Sequence, residues 1–371
     1  MLVGVPREIK DNEYRAGTVP SSVMELVHHG HQVIVQTGLG TSIGLTDTDY
    51  RAAGAMVVET AAEIYARAEL IVKVKEPQPG EIIMLGKGQI LFTYLHLAPD
   101  LAQTQGFLSS GVTAIAYETV STKDGSLPLL APMSEVAGRL AVQAGATCLE
   151  KGHGGQGILL GGVPGVDSAH VLIIGGGTVG DNAAYIAKGM GAHVTILDSS
   201  IPRLRELDIS HGGRVNCVFA NKASIEKYAL EADLVIGAVL VRGGTAPKLL
   251  TRDIIRRMRP GSVMVDVAID QGGCFETSHP TTHSDPTFVV DGVVHYCVAN
   301  MPGVVPRTST FGLNNATLPY VLRLADLGLQ AALTIDEGFR KGLNIHAGHV
   351  TCEAVAKAHG MAYVPAETVL K

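Results

Sequence analysis

The stretch from Val171 to Asp198 constrains this chain more than any other. It reads Val171-Leu172-Ile173-Ile174, then Gly175-Gly176-Gly177-Thr178-Val179-Gly180, then a helical run to Gly191, then Val194-Thr195-Ile196-Leu197-Asp198. A short, unbroken apolar run is the pattern of a strand buried on both faces. Gly175, Gly177 and Gly180 have the G-x-G-x-x-G spacing. The first allows a tight turn, the second lets the backbone approach a pyrophosphate, and the third lets the helix pack closely on the strand. A helix starting at Thr178 and Val179 would aim its free N–H groups and positive dipole end at phosphates. Asp198 ends the second strand, near the spacing of an acid that grips the adenosine ribose. A carboxylate there binds two hydroxyls and repels a 2′-phosphate, which favours NAD over NADP. Arg203 and Arg205, close by in sequence, leave that choice open. The bland alternative is a glycine-rich turn without a ligand, but strand, turn, helix, strand and terminal acid arriving in order favour a nucleotide site.

The rest of the chain must accommodate that unit. At 371 residues it is too long for one ordinary core, so two domains are expected. A formal net charge of -6 without a basic stripe argues against nucleic acid as a partner. Apolar runs are broken by glycines or charges before they reach the length of a membrane span, and the N-terminus shows no signal-peptide pattern. Five cysteines without a C-x-x-C fit reduced thiols in a cytoplasm and give no zinc-site spacing.

Before the nucleotide unit, strands are expected at 2–5, 32–36, 70–74, 90–94 and 113–117. Helices are expected from Pro20, with a Ser22–Glu25 capping box, from the Thr60–Glu63 box, and near 99–108. A helix beginning near Ser134 bridges to the nucleotide unit, whose later strands fall at 215–219, 233–238, 262–268, 287–290 and 293–298. A last helical stretch covers about 314–341. Alternating strands and helices imply parallel sheets. The expected architecture is α/β, two Rossmann-like doubly wound domains with an active-site cleft between them. The boundaries are 1–130 plus 306–371 for a discontinuous substrate domain and 131–305 for the NAD-binding domain.

Open parallel sheets bind ligands beyond the carboxyl ends of their strands. Polar residues at those ends are Arg7, Glu8 and Arg15 after the first strand, Lys73, Lys75 and Glu76 after 70–74, and His96 after 90–94. Asp270 follows 262–268, Val239 and Leu240 follow 233–238, and Asn300 follows 293–298. Arg15 and Lys75 could clamp a small carboxylate and polarise a neighbouring carbonyl; His96 suits proton transfer near neutrality; Asp270 could orient a water. Each has a plainer reading. Arg15 alone is a surface loop arginine, and one of Lys73 and Lys75 faces solvent with Glu76 pairing with either. His96 alone is a structural histidine, and Asp266, inside an apolar strand, caps or pairs.

Several stretches resemble the L-alanine dehydrogenase family, a branch of the alanine dehydrogenase/pyridine nucleotide transhydrogenase group. They are Gly4-Val5-Pro6-Arg7-Glu8 with Asn12-Glu13-Tyr14-Arg15, Val72-Lys73-Val74-Lys75-Glu76-Pro77, and Leu91-Phe92-Thr93-Tyr94-Leu95-His96-Leu97. Similar too are Leu129-Leu130-Ala131-Pro132-Met133-Ser134, Gly161-Gly162-Val163-Pro164-Gly165-Val166, Val265-Asp266-Val267-Ala268-Ile269-Asp270-Gln271-Gly272-Gly273 and Cys297-Val298-Ala299-Asn300-Met301-Pro302. The resemblance implies NAD-dependent, reversible oxidative deamination of L-alanine to pyruvate and ammonium, in a cytoplasmic homohexamer. By position it implies that Arg15 and Lys75 bind substrate, with Asn300 beside them, that His96 is the acid/base and that Asp270 assists water or ammonia. It implies that NAD is held by Ser134, Gly175, Gly177, Thr178, Val179, Gly180, Asp198, Arg203, Val239, Leu240, Ile269, Asp270, Val298, Asn300 and Met301.

Three departures stand out. Ala16-Gly17-Thr18-Val19-Pro20 follows Arg15 where relatives have Arg-Val-Ala and a hydroxyl residue before the proline. Ala220 replaces a hydroxyl that often contacts the cofactor, with Asn221 next to it. Arg323 and Leu327 stand where some relatives carry an acid and a histidine, so no metal is expected there. The alternatives are a lysine- or saccharopine-type dehydrogenase on the same scaffold, the nucleotide-binding subunit of a transhydrogenase, and a catalytically silent NAD-binding sensor. The chain lacks the Arg-Gln-Asp signature of the transhydrogenase subunit.

Overall fold

The computed structural model describes residues 1–239 and 246–370. The chain folds as two units, Met1–Met133 with Gly303–Lys371, and Ser134–Pro302.

The first unit is built on an eight-stranded sheet of β1 (Leu2–Val5), β2 (Gln32–Gln36), β3 (Met56–Val58), β4 (Leu70–Val72), β5 (Ile90–Thr93), β6 (Thr113–Ala116) and two late strands. Its parallel part runs β3-β2-β1-β4-β5-β6, so the order reverses between β1 and β4. The three residues of β4 and the four each of β5 and β6 are wholly buried, as strands covered on both faces must be. Gly4 serves close packing: a Cβ there would lie 2.5 Å from Ile64 and 2.6 Å from Ala68, so only glycine lets helix Ala61–Arg67 settle on β1. That helix starts with the expected box, the Thr60 hydroxyl accepting from the Glu63 N–H and the Glu63 carboxylate from the Thr60 N–H. The Ser22–Glu25 box does not form. Helix Pro20–His28 has Val19 at its cap without a side-chain bond, and its start is set by Pro20, whose missing N–H costs nothing at that position.

The end of the chain returns to this sheet in a way periodicity did not show. The last long helix runs Pro306–Thr334, eight residues earlier than expected, with Pro306 at its start and an interruption at Gly328 (φ 75°, ψ 167°). Asp336 then caps a separate short helix, Glu337–Arg340. β14 (Leu343–His346) adds antiparallel to β6, and β15 (His349–Val350) adds antiparallel to β14 at the sheet edge.

The second unit contains β7 (His170–Ile174), β8 (His193–Asp198), β9 (Asn216–Phe219), β10 (Leu234–Gly237), β11 (Val263–Asp266), β12 (Thr287–Val290) and β13 (Val293–Tyr296). Their order is β9-β8-β7-β10-β11-β13-β12, all parallel except β12. It is again a Rossmann-like sheet reversing at β7/β10. β11 stops at Asp266, and a tight turn, Val267–Gln271, carries the chain on. Helix Ala131–Cys148, begun three residues before Ser134, joins the units in sequence. Among the described residues no helix is long and apolar enough to cross a membrane.

Candidate active site

In the first unit, β1, β4 and β5 are neighbours, so the segments beyond their carboxyl ends bring Arg15, Lys75 and His96 to the edge where the strand order reverses. Arg15 is not the surface loop residue its isolated sequence suggests. It is 3 % exposed, Nε donates to Glu13 Oε1 at 2.6 Å, NH2 pairs with the other Glu13 oxygen, and NH1 points at Met133 Sδ (3.0 Å). Burial works against the guanidinium's charge, and the bonds to Glu13 outweigh it, so the group is held above its ordinary pKa. The departure after Arg15 is firmly anchored. Ala16 N–H donates to Thr310, Thr18 C=O accepts from Tyr50, and a Cβ on Gly17 would sit 2.8 Å from Val72 O.

The two lysines divide differently from expectation. Neither is a solvated surface lysine. Lys73 is fully buried, its Nζ 2.9 Å from both Glu8 Oε2 and Glu81 Oε1. Lys75, two residues on and likewise past the end of β4, has a side chain 13 % exposed with Nζ 3.9 Å from Glu76 Oε2. Glu76 pairs with Lys10 and Lys75, not with Lys73. Burial alone would raise its pKa, but Lys75 and Lys10 hold it below the ordinary range.

His96 has a left-handed backbone (φ 48°), uncommon for a residue with a side chain. Glu118 holds that turn, accepting from the N–H groups of Leu95 (3.2 Å) and His96 (2.7 Å), and it lies 3.9 Å from His96 Nδ1. The imidazole is 46 % exposed and stacks on Tyr94 with centroids 6.0 Å apart. Glu13 and Glu118 were missed in the sequence. Glu118 lies two residues past β6, so the strand-end filter that found His96 would have reached it.

In the second unit the glycine turn behaves as its spacing requires. Gly175 has φ 105° and packs against Ala238 and Val239; a Cβ on Gly180 would fall 1.9 Å from Gly175 O. Gly177 is different, because a Cβ there would meet nothing within 4 Å. It caps helix Thr178–Gly189 without a side-chain bond, so its bareness serves something other than protein packing. The space there would admit a phosphate against the first N–H groups of the helix. Asp198 ends β8 with Oδ2 accepting from Gly176 N–H (2.7 Å) and Oδ1 from Ser200 N–H (2.8 Å). Each carboxylate oxygen has a second lone-pair direction for a ribose hydroxyl. These residues fit a dinucleotide with an unphosphorylated ribose.

Arg203 bends back over the same turn, its Nε donating to Gly176 O at 2.7 Å, while Arg205 is exposed. Asn221 is committed as the cap of helix Lys222–Glu231, accepting from Ser224 N–H, and so does not replace the hydroxyl absent at Ala220. Asp270 is exposed in the turn after β11, beside buried Ile269. Asn300 has φ 57° and follows β13, between buried Val298 and Met301. Ser134 is half-buried on helix Ala131–Cys148. Asp266 is structural, its buried carboxylate accepting from the N–H groups of Ala268, Cys274 and Phe275 and from the Ser278 hydroxyl. Leu240 lies outside the described residues. Arg323 pairs with Asp336, and Leu327 is exposed.

Residues 4–137 match the family described as alanine dehydrogenase/PNT, N-terminal domain, and residues 141–353 match its C-terminal domain. The chain is 59% identical over 370 residues to an alanine dehydrogenase of Halomonas elongata, spanning 100% of both chains. It is 56% identical to one of Mycolicibacterium smegmatis over 357 residues, 96% of each. A solved L-alanine dehydrogenase superposes with a TM-score of 0.94 at 52% identity, over 97% of this chain and 99% of that one. A transhydrogenase from Sinorhizobium meliloti shares the fold, with a TM-score of 0.83 at 24% identity, over 94% of this chain and 100% of that one.

Proposed function

The chain belongs to the alanine dehydrogenase/PNT family, and on that premise we propose that it catalyses the reversible oxidative deamination of L-alanine with NAD and water to pyruvate and ammonium. The observation that carries this reading is the convergence of Arg15, Lys75 and His96 on adjacent strand ends of one Rossmann-like unit, while the other presents a bare glycine turn backed by Asp198.

NAD, when bound, accepts the hydride that leaves the α-carbon of alanine. Arg15 and Lys75 hold the substrate carboxylate, Arg15 fixed in direction by Glu13, and Lys75 then polarises the carbonyl of the keto acid. Asn300 adds a polar contact to the substrate. Loss of hydride leaves an iminium carbon, which water attacks with Asp270 orienting it. His96 takes a proton from the adding water and returns one as the carbinolamine collapses and ammonia departs. Its exposure and its fixed turn against Glu118 suit that exchange. The glycine turn with Ser134, Thr178, Val179, Asp198, Arg203, Val239, Leu240, Ile269, Val298 and Met301 makes up the NAD set. The family resemblance supports a homohexamer working in the cytoplasm.

A turnover assay against a panel of amino acids tests the reading. NADH absorbance should appear with L-alanine and be weak or absent with lysine and saccharopine; preference for a longer substrate would replace alanine as the substrate. His96→Ala should lose about 10²–10⁴ in kcat while still binding NADH. Near-normal turnover in that variant would return His96 to a structural role.

A further inference from the structure

An arginine a few residues beyond the ribose-reading acid is a ready partner for a 2′-phosphate, yet here that arginine is occupied. Arg203 NH2 donates to Asp181 Oδ2 at 2.8 Å and NH1 to Glu206 Oε2 at 2.9 Å, while Nε donates to Gly176 O. Asp181 lies in the first turn of helix Thr178–Gly189, and Glu206 is three residues along helix Ile201–His211 from Arg203. Asp181 is held from its other side. His211 Nε2 is 2.9 Å from Oδ1, and Lys188 Nζ is 3.2 Å from His211 Nδ1, so an imidazole protonated on Nε2 satisfies both partners. Residue Gly176 is thereby held on both sides, its N–H by Asp198 and its C=O by Arg203.

Partly exposed ion pairs of this kind add little to stability. Their consequence is local: two carboxylates occupy NH1 and NH2 of the guanidinium, and Asp198 adds a third carboxylate at the same turn.

We propose that Asp181 and Glu206 are specificity-determining residues for the cofactor, keeping Arg203 folded against the glycine turn with its charge paired, so that exclusion of a 2′-phosphate is shared among three carboxylates and does not rest on Asp198 alone. The inference rests on the dinucleotide reading of the glycine turn. Its direct consequence is that removing Asp198 by itself only relaxes discrimination. Freeing Arg203 as well converts the site into one that attracts the phosphate.

Calorimetric titration with 5′-ADP and 2′,5′-ADP, probes that need no turnover, tests this on the full chain. Asp198→Gly should bring 2′,5′-ADP within measurable range. Adding D181N and E206Q should tighten 2′,5′-ADP by about tenfold or more over D198G alone, an effect that shrinks as salt is raised. Adding R203M to that triple variant should abolish the gain. The milder D198G/E206Q pair, which changes an exposed side chain, should show part of the gain even if D181N impairs folding. Equal 2′,5′-ADP affinity in D198G, the pair and the triple variant, with 5′-ADP still bound, overturns this inference alone. Failure of the unmodified chain to bind 5′-ADP would remove the dinucleotide reading and this inference with it.

Discussion

Lys73→Met is the sharpest probe of how the first unit holds its strand ends. Lys73 Nζ lies 2.9 Å from both Glu8 and Glu81, and the three side chains are 0 to 2 % exposed. The two carboxylates are further bound, Glu8 by the Val74 N–H at 2.7 Å and Glu81 by the Tyr65 hydroxyl at 3.0 Å and the Gln78 N–H at 2.8 Å. Methionine fills a similar volume but leaves two buried anions facing each other. Breaking a buried pair in this way costs about 3–5 kcal/mol. For a unit of about 200 residues, at about 2–4 °C per kcal/mol, that is a fall in melting temperature of about 6–20 °C.

The deficit should depend on pH in a defined direction. Burial pushes the Glu8 carboxyl above its ordinary range even with Lys73 pulling it down. A carboxyl raised in the folded state favours folding when protonated and loses that contribution as pH rises through its folded pKa. Without Lys73 the rise is larger, so the variant's deficit should be greatest at pH 7 and shrink toward pH 5. The triple variant K73M/E8Q/E81Q carries no buried charge and should recover most of the loss, since a neutral, well-packed replacement of a buried ionic cluster is often neutral or stabilising. Scanning calorimetry of the four proteins (parent, K73M, E8Q/E81Q and the triple) at both pH values measures this. A K73M midpoint within about 2 °C of the parent at pH 7, or a deficit that does not shrink in acid, would refute the reasoning.

Three further outcomes are expected. Gly180→Ala places a Cβ 1.9 Å from the carbonyl oxygen of Gly175, and since backbone cannot yield cheaply there, NADH binding measured by fluorescence should be lost while the first unit's melting is unaffected. Glu118→Ala leaves the Leu95 and His96 N–H groups without their acceptor; about a tenfold to hundredfold loss of kcat is expected from the misplaced imidazole, with NADH affinity retained, and an unchanged kcat would separate Glu118 from His96. Thr60→Ala removes the cap of helix Ala61–Arg67 and should cost about 1 kcal/mol in thermal or urea unfolding without altering KM for alanine.

The sequence by itself determined the features set by local spacing. The glycine turn, its flanking strands and Asp198 form one continuous segment, and each glycine's task can be read from its neighbours in the chain. The Thr60–Glu63 box is equally local, and so is the placing of His96 and Lys75 just past buried strands. Where two local signals competed, as at Ser22–Glu25 against Pro20, the backbone constraint of proline prevailed over the side-chain cap.

Tertiary structure decided the partners. Strand alternation, which puts positions two apart on one face, does not tell Lys73 from Lys75; the approach of Glu8, 65 residues earlier in the chain, makes Lys73 a buried, paired charge. Arg15 looks like a loop residue until Glu13 and Met133 enclose it. Arg203 reads as a phosphate-seeking cation until Asp181, 22 residues before it, turns it onto the glycine loop. β14 exists as a strand because β6 offers it an edge, and β15 because β14 does. Periodicity and capping act within one turn or one pleat, whereas the state of a charge depends on which opposite charge and how much water the folded chain leaves beside it.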